Sequence, residues 1–354
     1  MRKVIVITSA SLLLLLGALC VTVLVASGPS ASSDSGIIER GQPVPFGGET
    51  LTVMTWNIGY ASGMENNKGN VLSSADITAN LDRIAASMRK NNADIVALQE
   101  IDFNSRRSHG INQLRYLQEK LNFPFAAYIL NWNKRYVPYP MSLDFKKHFG
   151  RMQSGQAVLS RVPITENTAE FLAKPFDKPF WYNLFYISRA VQRVKVLVAG
   201  MELDLYNVHL EAFHTDTRMH QAMQLLDLKK ARGFAAGFVV GDFNSLPADA
   251  RKKLGFADEP EADFTGDSTI EVLKQKGELA EVVPDMINRL GESPSFTYPS
   301  VSPTRRLDYI FYSPGIRHLR WSVDRDAGTG SDHLPLIAVF GIDYSMATDN
   351  ITGL

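Results

Sequence analysis

Short apolar runs alternate with amphipathic stretches from about residue 50 to residue 343. Runs at 52–57, 94–98, 157–160, 190–198, 203–210, 238–242, 307–312 and 334–340 predict strands. Several are apolar at consecutive positions, as strands covered on both faces must be. Between them Ile77, Leu81, Ile84, Ala85 and Met88 recur at helical spacing, with Ser74 or Asp76 available as a cap. Ile111, Leu114, Leu117 and Leu121 form a second helical face, and Met219, Met223 and Leu226 a third, all expected in the core. The alternation predicts a single α/β domain over 50–343, without an internal repeat. A stretch of about 300 residues is enough for one large core.

The N-terminus follows another pattern. Residues 4–26 form an uncharged, mostly apolar run behind Arg2 and Lys3, followed by a linker rich in serine, glycine and proline. This is the pattern of an export segment. A cleaved signal peptide fits it, and so does an uncleaved membrane anchor, since the run matches the roughly 20 residues that cross a bilayer. The expected organisation is therefore an export segment at 1–28, a linker at 29–49, the domain at 50–343 and a tail at 344–354. The protein is expected outside the cytoplasm, anchored to the membrane or secreted, and monomeric. Cys20, the one cysteine, lies in the apolar run and excludes a disulfide framework. A lipid anchor there is disfavoured by the bulky Leu19 before it.

Composition narrows the classes. With 45% hydrophobic residues and 37 basic groups against 37 acidic ones, the chain is neither disordered nor a basic wrapper of nucleic acid. Without residues 1–28, which carry two positive charges and no negative ones, the balance is 35 against 37. Two regions, 131–150 and 171–187, are rich in aromatic residues and proline and read as long loops. Such loops either contact substrate or pack over a sheet edge.

The polar residues that stand out lie at the ends of apolar strands. Asn57 ends the first, Glu100 follows the run 95–98, and His209 sits in Tyr206-Asn207-Val208-His209-Leu210. Asp242 and Asn244 follow Val239-Val240-Gly241, Asp308 follows Leu307, and Ser331-Asp332-His333 precedes Leu334-Pro335-Leu336. A lone carboxylate at a strand end is usually a turn residue, and a lone histidine a hydrogen-bonded one. So many at the strand ends of one sheet system require another explanation. Asp242 and Asn244, two apart in an extended segment, are expected on one side, facing one ligand. Glu100, Asp332 and Asn57 are hard oxygen ligands suited to Mg²⁺, with Mn²⁺ or Ca²⁺ as alternatives. No HExxH or cysteine pair suggests zinc. Two histidines with carboxylates beside them suit acid–base work at a phosphate.

The ordered set Thr55-Trp56-Asn57, Leu98-Gln99-Glu100, Asn207-Val208-His209-Leu210, Gly241-Asp242-Phe243-Asn244, Leu307-Asp308-Tyr309-Ile310 and Gly330-Ser331-Asp332-His333-Leu334-Pro335 resembles the endonuclease/exonuclease/phosphatase superfamily. That group includes deoxyribonuclease I, abasic-site endonucleases, neutral sphingomyelinases and inositol polyphosphate 5-phosphatases. The resemblance implies a four-layer α/β sandwich, two packed mixed β-sheets flanked by helices, with the site at the strand ends. It implies Glu100 as the main metal ligand, with Asn57 and Asp332 beside it. Asp242 and Asn244 resemble the pair that positions the nucleophilic water and the scissile phosphate. His333 resembles the catalytic base or phosphate-binding histidine, with Asp308 orienting it, and His209 the second histidine. Abasic-site endonucleases carry a tyrosine in the role of His209, so the resemblance leans toward the other members.

The basic clusters Arg106-Arg107, Lys229-Lys230 with Arg232, Arg251-Lys252-Lys253 and Arg305-Arg306 are short. Arg106 and Arg107, closely following Glu100, are the best of them for a phosphate contact. The leading expectation is an exported, divalent-metal-dependent phosphodiesterase acting on a phospholipid or a small phosphodiester. A secreted nuclease acting on DNA is the alternative. A non-catalytic binding protein that kept the fold is disfavoured, because every position of the set is filled.

Overall fold

The computed structural model describes residues 2–29, 34–40, 46–66, 71–140 and 143–342, apart from the side chains of 2–13 and 288–289. The expected tail, 344–354, lies outside the described residues. In chain order the first half comprises α1 (Arg2–Ser27), β1 (Ser35–Glu39), β2 (Thr50–Asn57), α2 (Ser74–Lys90), β3 (Ile95–Asp102), α3 (Gln113–Leu121), β4 (Phe125–Val137), β5 (Gly150–Ser160) and β6 (Ile164–Phe171). There follow α4 (Phe180–Phe185), β7 (Ala190–Val198), β8 (Met201–His209), α5 (Thr215–Ala231), β9 (Gly237–Asp242) and α6 (Thr269–Gly277). The chain continues with β10 (Ala280–Glu281), α7 (Met286–Leu290), β11 (Asp308–Tyr312), β12 (Arg317–Val323) and β13 (Leu336–Gly341).

Two mixed sheets result. One has seven strands in the order β1-β4-β5-β3-β2-β13-β12, the other six in the order β10-β11-β9-β8-β7-β6. The pairs β2–β3 and β8–β9 are parallel, and the rest antiparallel. Alternation along β2 shows how the layers form. Leu51 and Val53 face the second sheet, packing with Val240, Ile310 and Phe238, whereas Met54 and Trp56 face α2 and α3. On the far side Ala222 and Leu225 of α5 and Ile270 and Leu273 of α6 cover Tyr206, Val208, Val239 and Phe311. The order helix, sheet, sheet, helix is the expected four-layer sandwich.

Several local expectations change. The cap of α2 is Ser73, whose hydroxyl accepts from the Asp76 amide while the Asp76 carboxylate accepts from the Ser73 amide. On α5 Met223 is exposed, and the buried face carries Arg218, Gln221, Ala222 and Leu225 instead. Arg218 is tolerated there because it binds Asp267 at 2.9 Å. Residues 35–39, placed in the linker, form β1 along the edge of β4. The region 131–150 is not all loop, since β4 runs to Val137, and 171–187 contains α4. The apolar N-terminal run folds as α1, with Leu14, Leu15, Leu19 and Leu24 exposed. Among the described residues no helix is long and apolar enough to cross a membrane.

Candidate active site

The registers of the two sheets bring the strand ends together. His209 at the end of β8 is opposite Asp242 at the end of β9, and Asp308 at the start of β11 is opposite the same Asp242. From the other sheet Asn57 at the end of β2 sends its amide to Asp242 Oδ2 at 2.9 Å. Glu100 arrives through a β-bulge: Leu98 and Ile101 of β3 pair with Ala157 and Gly155 of β5, and Glu100 between them has φ +53°. A bulge re-aims a side chain out of the alternation of its strand, and here it presents a carboxylate at the site. Beneath it the buried Asn207 joins the sheets, accepting from Gln99 at 2.7 Å and donating to the Leu98 carbonyl at 3.0 Å.

Asp242 is fixed on both oxygens. Besides the Asn57 amide on Oδ2, the Asn244 backbone N–H donates to Oδ1 at 2.9 Å. Asn244 is not extended, as the sequence suggested; with φ +49° it turns back, and its amide donates to the Leu210 carbonyl at 3.0 Å. His333 shares a 2.9 Å hydrogen bond with Asp308 through Nδ1, which leaves Nε2 facing Asp242 Oδ2 at 3.8 Å. Burial opposes charge on this ring, but Asp308 and Asp242 outweigh it and hold its pKa well above the ordinary histidine value. Burial also raises Asp242, with Asp308 adding to the effect. The cluster thus keeps a proton on the imidazole and a carboxylate of high proton affinity next to it. His209 is the opposite case: burial, then the charges of Arg189 and His333, hold it neutral.

Glu100 and Asp332 form a second acidic group. The amide of Asn66 donates to both, at 3.0 Å to Glu100 Oε2 and 3.2 Å to Asp332 Oδ2. Burial and the charge of Asp332 raise the Glu100 pKa. Two carboxylates converging on one neutral donor, one of them desolvated, make a pair that a cation would stabilise. Asn57 Oδ1 accepts from the Gly59 amide at 3.0 Å, and the Asn57 backbone carbonyl accepts from the hydroxyl of Ser331, next to Asp332, at 2.7 Å. Among the described residues Asp242, Asp308 and His333 also bring ligand atoms within 4.8 Å of one another. Asp308 occupies Nδ1 of the imidazole there, and the two carboxylates favour a proton on the ring, so in the absence of a cation that group also serves as a proton carrier. The donor set of Asn57, Glu100 and Asp332 fits a hard divalent cation.

Of the residues expected at the site, Arg106 and Arg107 are engaged elsewhere. Arg107 donates twice to the buried Asp102, each at 3.0 Å, and lies over the Tyr60 ring. Arg106 donates to the carbonyls of Phe145 and Lys146 at 3.2 and 3.4 Å. Two residues not foreseen from sequence belong to the site. Asn66 follows a short 3₁₀ turn, Gly59–Ala61, and has no apolar pattern around it. Arg189 precedes β7, and its guanidinium reaches His209; an arginine abutting an apolar strand was the available clue.

The fold recurs among solved structures. An endonuclease/exonuclease/phosphatase from Beutenbergia cavernae is 21% identical with a TM-score of 0.59, over 83% of this chain and 72% of that one. A mannosyl-6-phosphatase from Bacteroides thetaiotaomicron is 19% identical with a TM-score of 0.56, over 82% of this chain and all of that one. The human Nocturnin catalytic domain with a bound sulfate anion is 16% identical with a TM-score of 0.54, over 87% and 98% of the two chains. No curated protein matches the sequence. The family model described as the Endonuclease/Exonuclease/phosphatase family matches residues 54–333, from within β2 to His333. By this match and by its fold the chain belongs to the endonuclease/exonuclease/phosphatase family, divalent-metal-dependent hydrolases of phosphoester bonds.

Proposed function

We propose that the protein is an exported, Mg²⁺-dependent phosphodiesterase whose substrate is a phospholipid or a small phosphodiester. Asn57, Glu100 and Asp332 would hold the cation. When bound there, it neutralises phosphate charge and polarises the phosphorus–oxygen bonds. Asp242, pinned by Asn57 and the Asn244 amide, orients the attacking water and accepts its proton. His333, kept protonated by Asp308, donates from Nε2 to the phosphate or the leaving oxygen. This favours the phosphate-binding and acid role for His333 over that of base. His209 stays neutral and lines the same face.

The observation that carries the substrate class is an apolar rim connected to the site. Phe180 and Trp181 of α4 are 77% and 55% exposed, and Phe213, four residues after His209, is 70% exposed. Glu211, two residues after His209, joins Phe213 to the end of α4, accepting from the Tyr186 hydroxyl at 2.7 Å and the Phe213 amide at 3.1 Å. The other aromatic region joins through Trp132, whose indole donates to the Phe185 carbonyl at 2.8 Å. Aromatic side chains of this kind suit the boundary between water and lipid.

The test compares Mg²⁺ with EDTA on sphingomyelin and phosphatidylcholine vesicles, bis(4-nitrophenyl) phosphate, inositol phosphates, plasmid DNA and RNA. Metal-dependent cleavage of lipid or the small diester is expected. Cleavage of DNA alone would sink the lipid reading, and no cleavage of anything would favour a binding protein. For export, the protein is expected in the membrane pellet; a soluble extracytoplasmic form with its mature N-terminus near Gly28 would refute the anchor.

A further inference from the structure

Arg189 closes the site on the β7 side. Its neighbour Ala190 is registered opposite His209, and the guanidinium Nη1 lies 2.5 Å from His209 Nε2. That ring nitrogen is itself 3.6 Å from Asp242 Oδ2 and 3.8 Å from Glu100 Oε1. The guanidinium therefore sits on the edge of His209 that faces the catalytic carboxylates. Access is no poorer than for its neighbours: 5% of the Arg189 side chain is exposed, against 2% for His209 and 6% for His333.

Other buried arginines each have a carboxylate within hydrogen-bond reach, although Arg193, Arg305 and Arg306 also leave Nε without a partner. Arg107 binds Asp102 twice, Arg218 binds Asp267 and Arg305 binds Asp258. Arg189 has Glu211 at 3.9 Å from Nε, beyond hydrogen-bond reach, and both Nε and Glu211 Oε2 are buried without a hydrogen-bond partner. Glu211 is held in place on its other oxygen by Tyr186 and the Phe213 amide. It is near enough to keep the guanidinium local and too far to consume its donors. A fork of N–H donors with capacity to spare, beside two histidines, matches the geometry of a phosphate.

We propose that Arg189 contacts the scissile phosphate and is a further catalytic residue, with Glu211 and Tyr186 as the positioning residues that hold its fork. The proposal rests on the phosphoesterase reading above. On binding, phosphate oxygens take donors of Arg189, including the one now given to His209, which leaves His209 Nε2 free as an acceptor.

Inorganic phosphate is the probe. The full chain, with Mg²⁺ present, is titrated with phosphate by calorimetry, and hydrolysis of bis(4-nitrophenyl) phosphate is followed in parallel. Arg189→Met should weaken phosphate binding roughly 10- to 100-fold and raise KM by a similar factor, with a smaller fall in kcat. Arg189→Lys should recover part of the affinity, because it keeps the charge and loses the fork. Arg189→Met alone leaves Glu211 an unpaired buried charge, so the double variant Arg189→Met/Glu211→Gln guards against misfolding and should show the same losses. Tyr186→Phe should raise KM and leave kcat near wild type. Unchanged phosphate affinity and KM in the double variant would overturn the proposal. A wild type that hydrolyses no phosphoester would overturn the activity instead, and the phosphate titration would still decide the role of Arg189.

Discussion

Glu100 is held against its own preference. It occupies a left-handed backbone position in a bulge, is desolvated, and shares a neutral donor with Asp332. Such arrangements cost stability and persist where function requires them. A carboxyl whose pKa is raised by folding binds its proton more tightly in the folded than in the unfolded chain. Its ionisation therefore destabilises the fold at neutral pH, and the penalty lifts as pH falls through the folded-state value. Glu100→Gln should consequently raise the melting temperature in EDTA at pH 7 by a few degrees, with the gap to wild type narrowing as pH falls. Added Mg²⁺ should raise the melting temperature of wild type and not of the variant; a variant that melts below wild type in EDTA, or still responds to Mg²⁺, would contradict the assignment. At the other end of the site, Asp308→Asn should return His333 toward an ordinary imidazole, visible in its ¹H–¹⁵N titration, and lower kcat by roughly 10²- to 10⁴-fold.

Elements were legible where burial on both faces made an apolar run, as in β2, β7 and β9. They were hidden where polar groups find partners within the fold. In β4 the Asn131 amide bonds Gln156 and the Lys134 ammonium bonds the Ser27 carbonyl, so residues that read as loop lie in a strand. The site divides in the same way. Carboxylates and histidines at apolar strand ends could be read from the sequence, whereas Asn66 and Arg189 acquire meaning only from what the fold places beside them. β1 is a further case: five half-exposed residues in apparent linker, paired with Phe125–Ile129 of β4 and anchored by the Asn167 amide on the Gly36 carbonyl at 3.1 Å. A chain beginning at residue 46 should therefore melt several degrees below one beginning at residue 34 and expose the edge of β4. Equal melting of the two would show that β1 contributes nothing to the domain.

At the scale of the molecule, charge is balanced and several arginines of the basic clusters are paired with carboxylates, while Lys230, Arg251 and Lys252 stay exposed. Arg305 pairs with Asp258 and Glu259, Arg306 with Glu281 at 3.0 Å, Arg232 with Glu170, and Arg107 with Asp102. What stays exposed comes in short runs, so on the proposed reading attraction of substrate falls to the metal seat, His333 and Arg189. This has a consequence in ionic strength. A protein that neutralises 6–10 phosphates loses roughly 10³- to 10⁵-fold in affinity between 50 and 200 mM salt, because each contact releases a counterion. A site that engages one phosphate through buried groups is screened far less. With Mg²⁺ saturating, kcat/KM for bis(4-nitrophenyl) phosphate should change by less than about ten-fold over that range. Plasmid DNA, if cleaved at all, should show an equally shallow dependence, since it too would be held at a single phosphate. A steep loss confined to DNA would mean that a basic track exists on the surface after all, and would move the substrate assignment to nucleic acid.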